Sequence, residues 1–252
     1  MTAEPLRGPR LSEGVDLSVN QIPWEVKAVI LFGSQARGDD DSASDTDLVA
    51  FADVLSAEAL AQTHESLRLT WEVEGPEVTL YSTMTAVEMA GKGSLFLWHL
   101  RLEGRVLLER GGWWTELLSS LRQYGPKQAT KDLETLRTIL TDVEASLRRD
   151  NLTELFEAAT LFTVLRNAAI ITSFRYGTPL FGRREPINWL GRKMGEDFPY
   201  SQSDLDLLEM CRLAYNDKAT LRSMPSRAQI ETLAACGFRV LRYCGKLVAD
   251  GL

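Results

Sequence analysis

Histidine is the scarcest ionisable residue in this chain: there are two, His64 and His99, both before residue 100. Any reaction that needs a histidine base further along has none to use. Cysteine is nearly as scarce, at three (Cys211, Cys236, Cys244), all in one C-terminal stretch. Their spacing fits no zinc pattern, and an odd count closes no disulfide framework. Buried free thiols in a reducing compartment are therefore expected. The opening MTAEPLRGPRLSEG has no apolar core of a secretory leader. No apolar run approaches the length of a membrane span, and low-complexity tracts are missing. These absences lead us to expect a cytoplasmic protein with no membrane partner.

Positive charge is in deficit as well. The net charge is −7 over 252 residues. Residues 1–124 hold 10 Lys+Arg against 19 Asp+Glu, and the remainder holds 18 against 16. An acidic half beside a faintly basic one argues against a broad nucleic-acid-binding face. It suits a carboxylate-rich metal site and, elsewhere, a place for an anion.

What is present divides into two parts. In the first, 25–32 reads as a buried strand that stops at Gly33-Ser34, 47–51 as a second strand and 77–81 as a third. Residues 56–69 read as a helix, with Leu60 and Leu67 as core contacts. Residues 96–108 read as helix and then extended chain. After Gly111-Gly112 the pattern changes. Leu133, Leu136, Leu140, Val143 and Leu147 recur at steps of three and four, which is a helical stripe. A helix over about 152–175, capped by Asn151, is apolar on most sides and belongs at a bundle centre. Helices near 187–194, 203–219 and 226–249 follow. The expectation is α+β: an N-terminal extension (1–19), a mixed α/β domain (20–112), a linker (113–126) and an all-α bundle (127–252).

The informative stretch is Leu31-Phe-Gly-Ser-Gln-Ala-Arg-Gly-Asp-Asp-Asp-Ser-Ala-Ser-Asp-Thr-Asp-Leu-Val49. Transfer from a nucleoside triphosphate needs a grip on the phosphates, neutralisation of their charge and in-line geometry. Gly33 lets the backbone approach a phosphate, and Ser34 adds a hydroxyl and an N–H. If Ser34 opens a short helix, its free N–H groups face the anion. Arg37, one turn on, is in reach of the same phosphates. Asp45 and Asp47 are two apart, so on a strand their carboxylates converge, which suits magnesium. Asp39, Asp40 and Asp41 read as a solvated acidic loop.

This segment, G-S-Q-A-R-G, D-D-D-S-A, then S-D-T-D-L-V, resembles the signature of the DNA polymerase β-type nucleotidyltransferases, the small bacterial ones above all. The resemblance is tight over 29–51 and looser up to about 109. It implies a mixed sheet with flanking helices, two Mg2+ ions, and an NTP donor, with ATP expected. By position, Gly33 and Ser34 would hold the β- and γ-phosphates, and Asp45 and Asp47 the metals. Relatives carry a third carboxylate within V-D-V-T-L-Y-T; here Pro76-Glu-Val-Thr-Leu-Tyr-Ser82 puts Glu77 there, with Glu72 and Glu74 as fallbacks. Glutamate for aspartate lengthens that arm by one methylene.

The resemblance implies transfer of a nucleoside monophosphate, AMP being expected, to a hydroxyl on a small molecule, protein or RNA. A non-catalytic nucleotide sensor or an antitoxin-like interaction module is the alternative, motivated by Glu77. A homodimer is compatible with either. In the helical half, Arg166-Asn167 resembles the start of the R-x(4–6)-H motif of HEPN ribonucleases, but no histidine follows. Satisfied polar groups or substrate-positioning residues are the readings left for that pair. Arg183-Arg184-Glu185 with Arg192-Lys193 is the densest basic region, read as a solvated loop with an anion site as the alternative. His99 and Glu103 stand i,i+4, facing one another on a helix; a structural role is preferred over a general base. Trp113-Trp114 is expected to pack.

Overall fold

The computed structural model describes residues 22–39, 46–53, 56, 61, 65–66, 77–149 and 153–249. The N-terminal extension, Asp45, most of the 56–69 helix, His64, Glu72, Glu74 and the Asn151 cap lie outside the described residues. The chain forms two compact units, 1–124 and 125–252.

The first unit is built on a four-stranded mixed sheet. Its strands are β1 (Val26–Phe32), β2 (Asp47–Ala52), β3 (Glu77–Ser82) and β4 (Arg105–Glu109), in the order β3-β2-β1-β4. β1 runs antiparallel to β2 and β4, and β2 runs parallel to β3. β1 and β2 are apolar almost throughout because both of their faces are covered. Val29, Leu31, Leu48 and Ala50 belong to one cluster. Ala28, Ile30, Val49 and Phe51 belong to the other, beside three helices: α2 (Thr83–Lys92), α3 (Leu95–Glu103) and α4 (Trp113–Ser120). α1 is the short turn Gly33–Arg37.

Two elements depart from the sequence reading. α2 was not expected; Ser82 caps it by accepting a hydrogen bond from Thr85 N. Residues 113–120, read as part of a linker, form α4. Trp114 is 3% exposed, stacks on Phe51 at 5.5 Å between ring centroids, and shares a core with Leu117 and Leu121. Trp113 packs on the same Phe51 ring. The apolar positions 114, 117 and 121 are one helical face, and the sheet offers the surface that buries it.

The second unit is helical: α5 (Pro126–Leu147), α6 (Glu154–Arg175), α7 (Glu185–Met194), α8 (Gln202–Tyr215) and α9 (Arg227–Ala249). Pro126 suits the first turn of α5, and a Ser201/Asp204 capping box starts α8. The 133–147 stripe is buried. α6 packs against all four other helices, as its all-round apolarity demands. By length and composition it would also pass for a membrane span, so the sequence does hold one run of that size. Most of it is buried inside this unit, which is what a core helix does. Its one buried carboxylate, Glu157, accepts a hydrogen bond from Ser146 Oγ. Cys211 and Cys244 are buried free thiols, pushed by burial up to about 11 and about 12.

If α4 is core and not linker, Trp114→Ala removes a ring from the sheet's covering layer. It should cost about 3–5 kcal/mol of stability, read from urea unfolding. A change within 0.5 kcal/mol or so is the result for an exposed linker position.

Candidate active site

The site is set by how β1 ends and β2 begins. Phe32 pairs with Asp47, and Asp47 pairs with Glu77 on the parallel strand β3. Three neighbouring strands thus bring Phe32-Gly33, Asp47 and Glu77 into one row at one end of the sheet, with each neighbour about 5 Å from the next. This places the Gly33 turn and Asp47, fourteen residues apart in the chain, side by side.

Gly33 takes a left-handed conformation, φ +75°, as the chain turns out of β1 into α1. A Cβ there would fall 2.1 Å from Asp47 Oδ2 and 3.1 Å from Asp47 Cγ. No side chain fits without driving the carboxylate away. Glycine therefore does two things: it accepts the turn, and it leaves room beside a half-buried carboxylate. Ser34 follows at once, and its carbonyl accepts the N–H groups of Gly38 and Asp39 at 2.8 and 3.1 Å, which closes the turn. Asp45 lies outside the described residues, as does the Glu77 side chain.

Arg37 is not simply aimed at an open phosphate site. Its Nη1 donates to Glu103 Oε2 at 2.9 Å, and its Nε donates to Asp39 at 3.2 Å. Glu103 Oε2 also meets His99 Nε2 at 3.1 Å. The i,i+4 pair expected on α3 is therefore formed, and its carboxylate also ties α3 to α1. Phe32 packs edge-on against His99 and Phe96, with centroids 5.7 and 5.5 Å away. Burial by itself would lower the Arg37 pKa; the hydrogen bonds and charges of Glu103 and Asp39 outweigh it and raise it. Burial would raise that of Glu103; hydrogen bonds from His99 and Arg37, with their charges, outweigh it and lower it. Sequence spacing signalled half of this network. The Arg37–Glu103 contact, 66 residues apart, had no local signal.

In the helical unit, Arg166 donates to the carbonyl oxygens of Gly182, at 3.0 Å, and Phe181. It is a polar group satisfied inside the bundle. Arg184 pairs with Asp206 at 2.6 Å and Glu209 at 3.1 Å, and Arg183 lies 3.9 Å from Glu209. That part of the basic region is tied to α8, where a solvated loop was expected. Lys193 sits over the Tyr176 and Trp189 rings at 5.5 and 5.7 Å.

Residues 18–91 match the family model of the nucleotidyltransferase domain, the stretch that holds β1, the Gly33 turn, β2 and β3. The chain carries a nucleotidyltransferase domain. The type is that of the polymerase β enzymes, and the helical unit follows it. No curated protein matches the chain. Among solved structures it is similar to one described as "Crystal structure of the toxin-antitoxin with AMP-PNP". That likeness has 20% identity and a TM-score of 0.28, over 42% of this chain and 81% of that one.

Two variants test the geometry of the nucleotidyltransferase domain. Gly33→Ala should lose at least about 1 kcal/mol, and Asp47→Ala in the same chain should return part of the loss in a double-mutant cycle. Additive losses would mean that the two positions do not meet. For Glu103, whose pKa is depressed in the fold, the stabilisation is full above the unfolded value and disappears as pH falls through the folded one. The melting temperature of wild type should exceed that of Glu103→Gln at pH 7, and the gap should close in acid. A gap independent of pH would contradict the ion-pair assignment.

Proposed function

We propose that this chain transfers a nucleoside monophosphate, with AMP the first choice, from an NTP to an acceptor hydroxyl and releases pyrophosphate. The observation that carries the reading is the close approach of Gly33 to Asp47 inside a stretch that matches the nucleotidyltransferase family. A cleft that must hold a triphosphate against a metal-binding carboxylate needs a residue without Cβ at that point.

Asp47 offers hard oxygens of the kind magnesium takes, and the missing Cβ at Gly33 lets an Asp47 oxygen stand against the turn. In this reading Asp45, Asp47 and Glu77 hold two Mg2+ ions. Bound there, magnesium supplies charge neutralisation and Lewis acidity for phosphoryl transfer. The chain's own residues do the rest. Gly33 and Ser34 receive the β- and γ-phosphates through backbone and hydroxyl. The acceptor oxygen forms its bond to the α-phosphorus while the bond to the β-bridging oxygen breaks. The acceptor's proton passes to a carboxylate, for which Glu77 is the candidate. Arg37, held by Glu103, adds positive charge beside the turn and keeps α1 in place.

Small molecules, proteins and RNA all remain candidate acceptors, in a cytoplasmic setting. Purified protein with Mg2+ and each α-labelled NTP, alone, with host lysate and with an aminoglycoside panel, identifies both donor and acceptor. Wild type should give a labelled product, and Asp47→Asn should lower the rate by at least about 100-fold. NTP binding with neither label nor pyrophosphate under any condition would replace this reading with that of a nucleotide sensor or interaction module.

A further inference from the structure

The α5 and α9 helices enclose a groove of about 400 Å³. Its floor is apolar: Leu133 from α5, with Phe238, Leu241 and Ala249 from α9. Three cations, Arg137, Arg242 and Lys246, stand along it with a single carboxylate, Glu134. All three are exposed, and among the described residues none of them forms an ion pair. An apolar floor under an excess of unpaired positive charge complements an apolar body with an anionic head.

Two glycines of α9 give a second, independent observation. At Gly237 a Cβ would come within 3.1 Å of Leu140 and 3.3 Å of Tyr200 Oη, so close helix packing accounts for it. Gly245, two turns on, also lies inside the helix, but a Cβ there would meet nothing within 4 Å. Gly245 lines the groove. A glycine inside a helix is destabilising relative to alanine, and among the described residues nothing fills the space beside Gly245, which leaves room for an occupant against the helix.

We propose that this groove binds a small apolar anion: one carboxylate or phosphate head on a chain or ring about ten carbons in extent. Size decides for a small ligand over a protein partner. Stable protein interfaces take roughly 20–30 residues from each side, whereas ten line this groove. Its volume falls within the range of ligand pockets, about 300–1,000 Å³. Its length is roughly 10–16 Å at the helical rise over residues 130–137 and 238–249. The head lies among Arg137, Arg242 and Lys246, and the body lies over Gly245. This site is separate in residues and chemistry from nucleotidyl transfer.

Calorimetric titration of the full chain with decanoate, and with decyltrimethylammonium as its cationic counterpart, tests the assignment. Decanoate should bind saturably at one site and decyltrimethylammonium should not. Gly245→Phe fills the open space and should abolish binding, with circular dichroism and melting as checks on its fold. Gly245→Ala should raise the melting temperature. Arg242→Glu/Lys246→Glu, at exposed positions, should weaken decanoate by at least about tenfold and serves if Gly245→Phe does not fold. Equal binding of both amphiphiles, no saturable binding, or affinity unchanged in the charge-reversed variant would overturn the proposal. So would binding of an acidic amphipathic peptide, lost in Gly245→Phe, when decanoate does not bind.

Discussion

The contact between a missing side chain and a carboxylate organises the first unit. Asp47 opens β2 directly opposite the residue that closes β1, and the antiparallel register allows nothing else. The turn out of β1 then has to pass within touching distance of the Asp47 oxygens. Glycine is the residue that can take that path, for steric reasons and for its positive φ. Everything that follows, from the helical turn to Ser34 and Arg37, is oriented by that passage. The arrangement brings the backbone of the Gly33 turn and the Asp47 carboxylate to the same end of the sheet.

The rest of the unit serves to hold this junction still. Both central strands are buried on two faces, so their ends have little freedom. Arg37 is restrained from two sides, by Asp39 on its own loop and by Glu103 on α3. His99 gives Glu103 a further partner, and Phe32 rests its ring edge against His99. The residue just before the critical glycine and the arginine just after it are thus both anchored on α3. An arginine so anchored is a fixed positive charge beside the Gly33 turn.

How much of this was legible depended on how local the cause was. The strands that end at Phe32 and begin at Asp47 were readable because the pattern that makes them lies within one short segment. The helical stripe in α5 and the all-round apolarity of α6 were readable because helical periodicity is itself local. α2 was not, since only Ala86 and Ala90 of its residues are buried and two alanines leave no stripe. α4 hid behind the glycines at 111 and 112, which read as a domain boundary although Trp114, Leu117 and Leu121 already share one face. The Arg37–Glu103 pair and the capture of Arg183 and Arg184 by α8 are contacts between distant residues. No window of sequence contains both partners.

The central claim is that the triphosphate lies on the Gly33–Ser34 turn with a metal on Asp47. The most direct test is a crystal structure with Mg2+ and a non-transferable ATP analogue whose α,β-bridge is methylene. The account predicts β- and γ-phosphate oxygens against the backbone of Gly33 and Ser34, and a metal ion bound by Asp47. A nucleotide bound elsewhere, or one at the turn with no metal on Asp47, would contradict it.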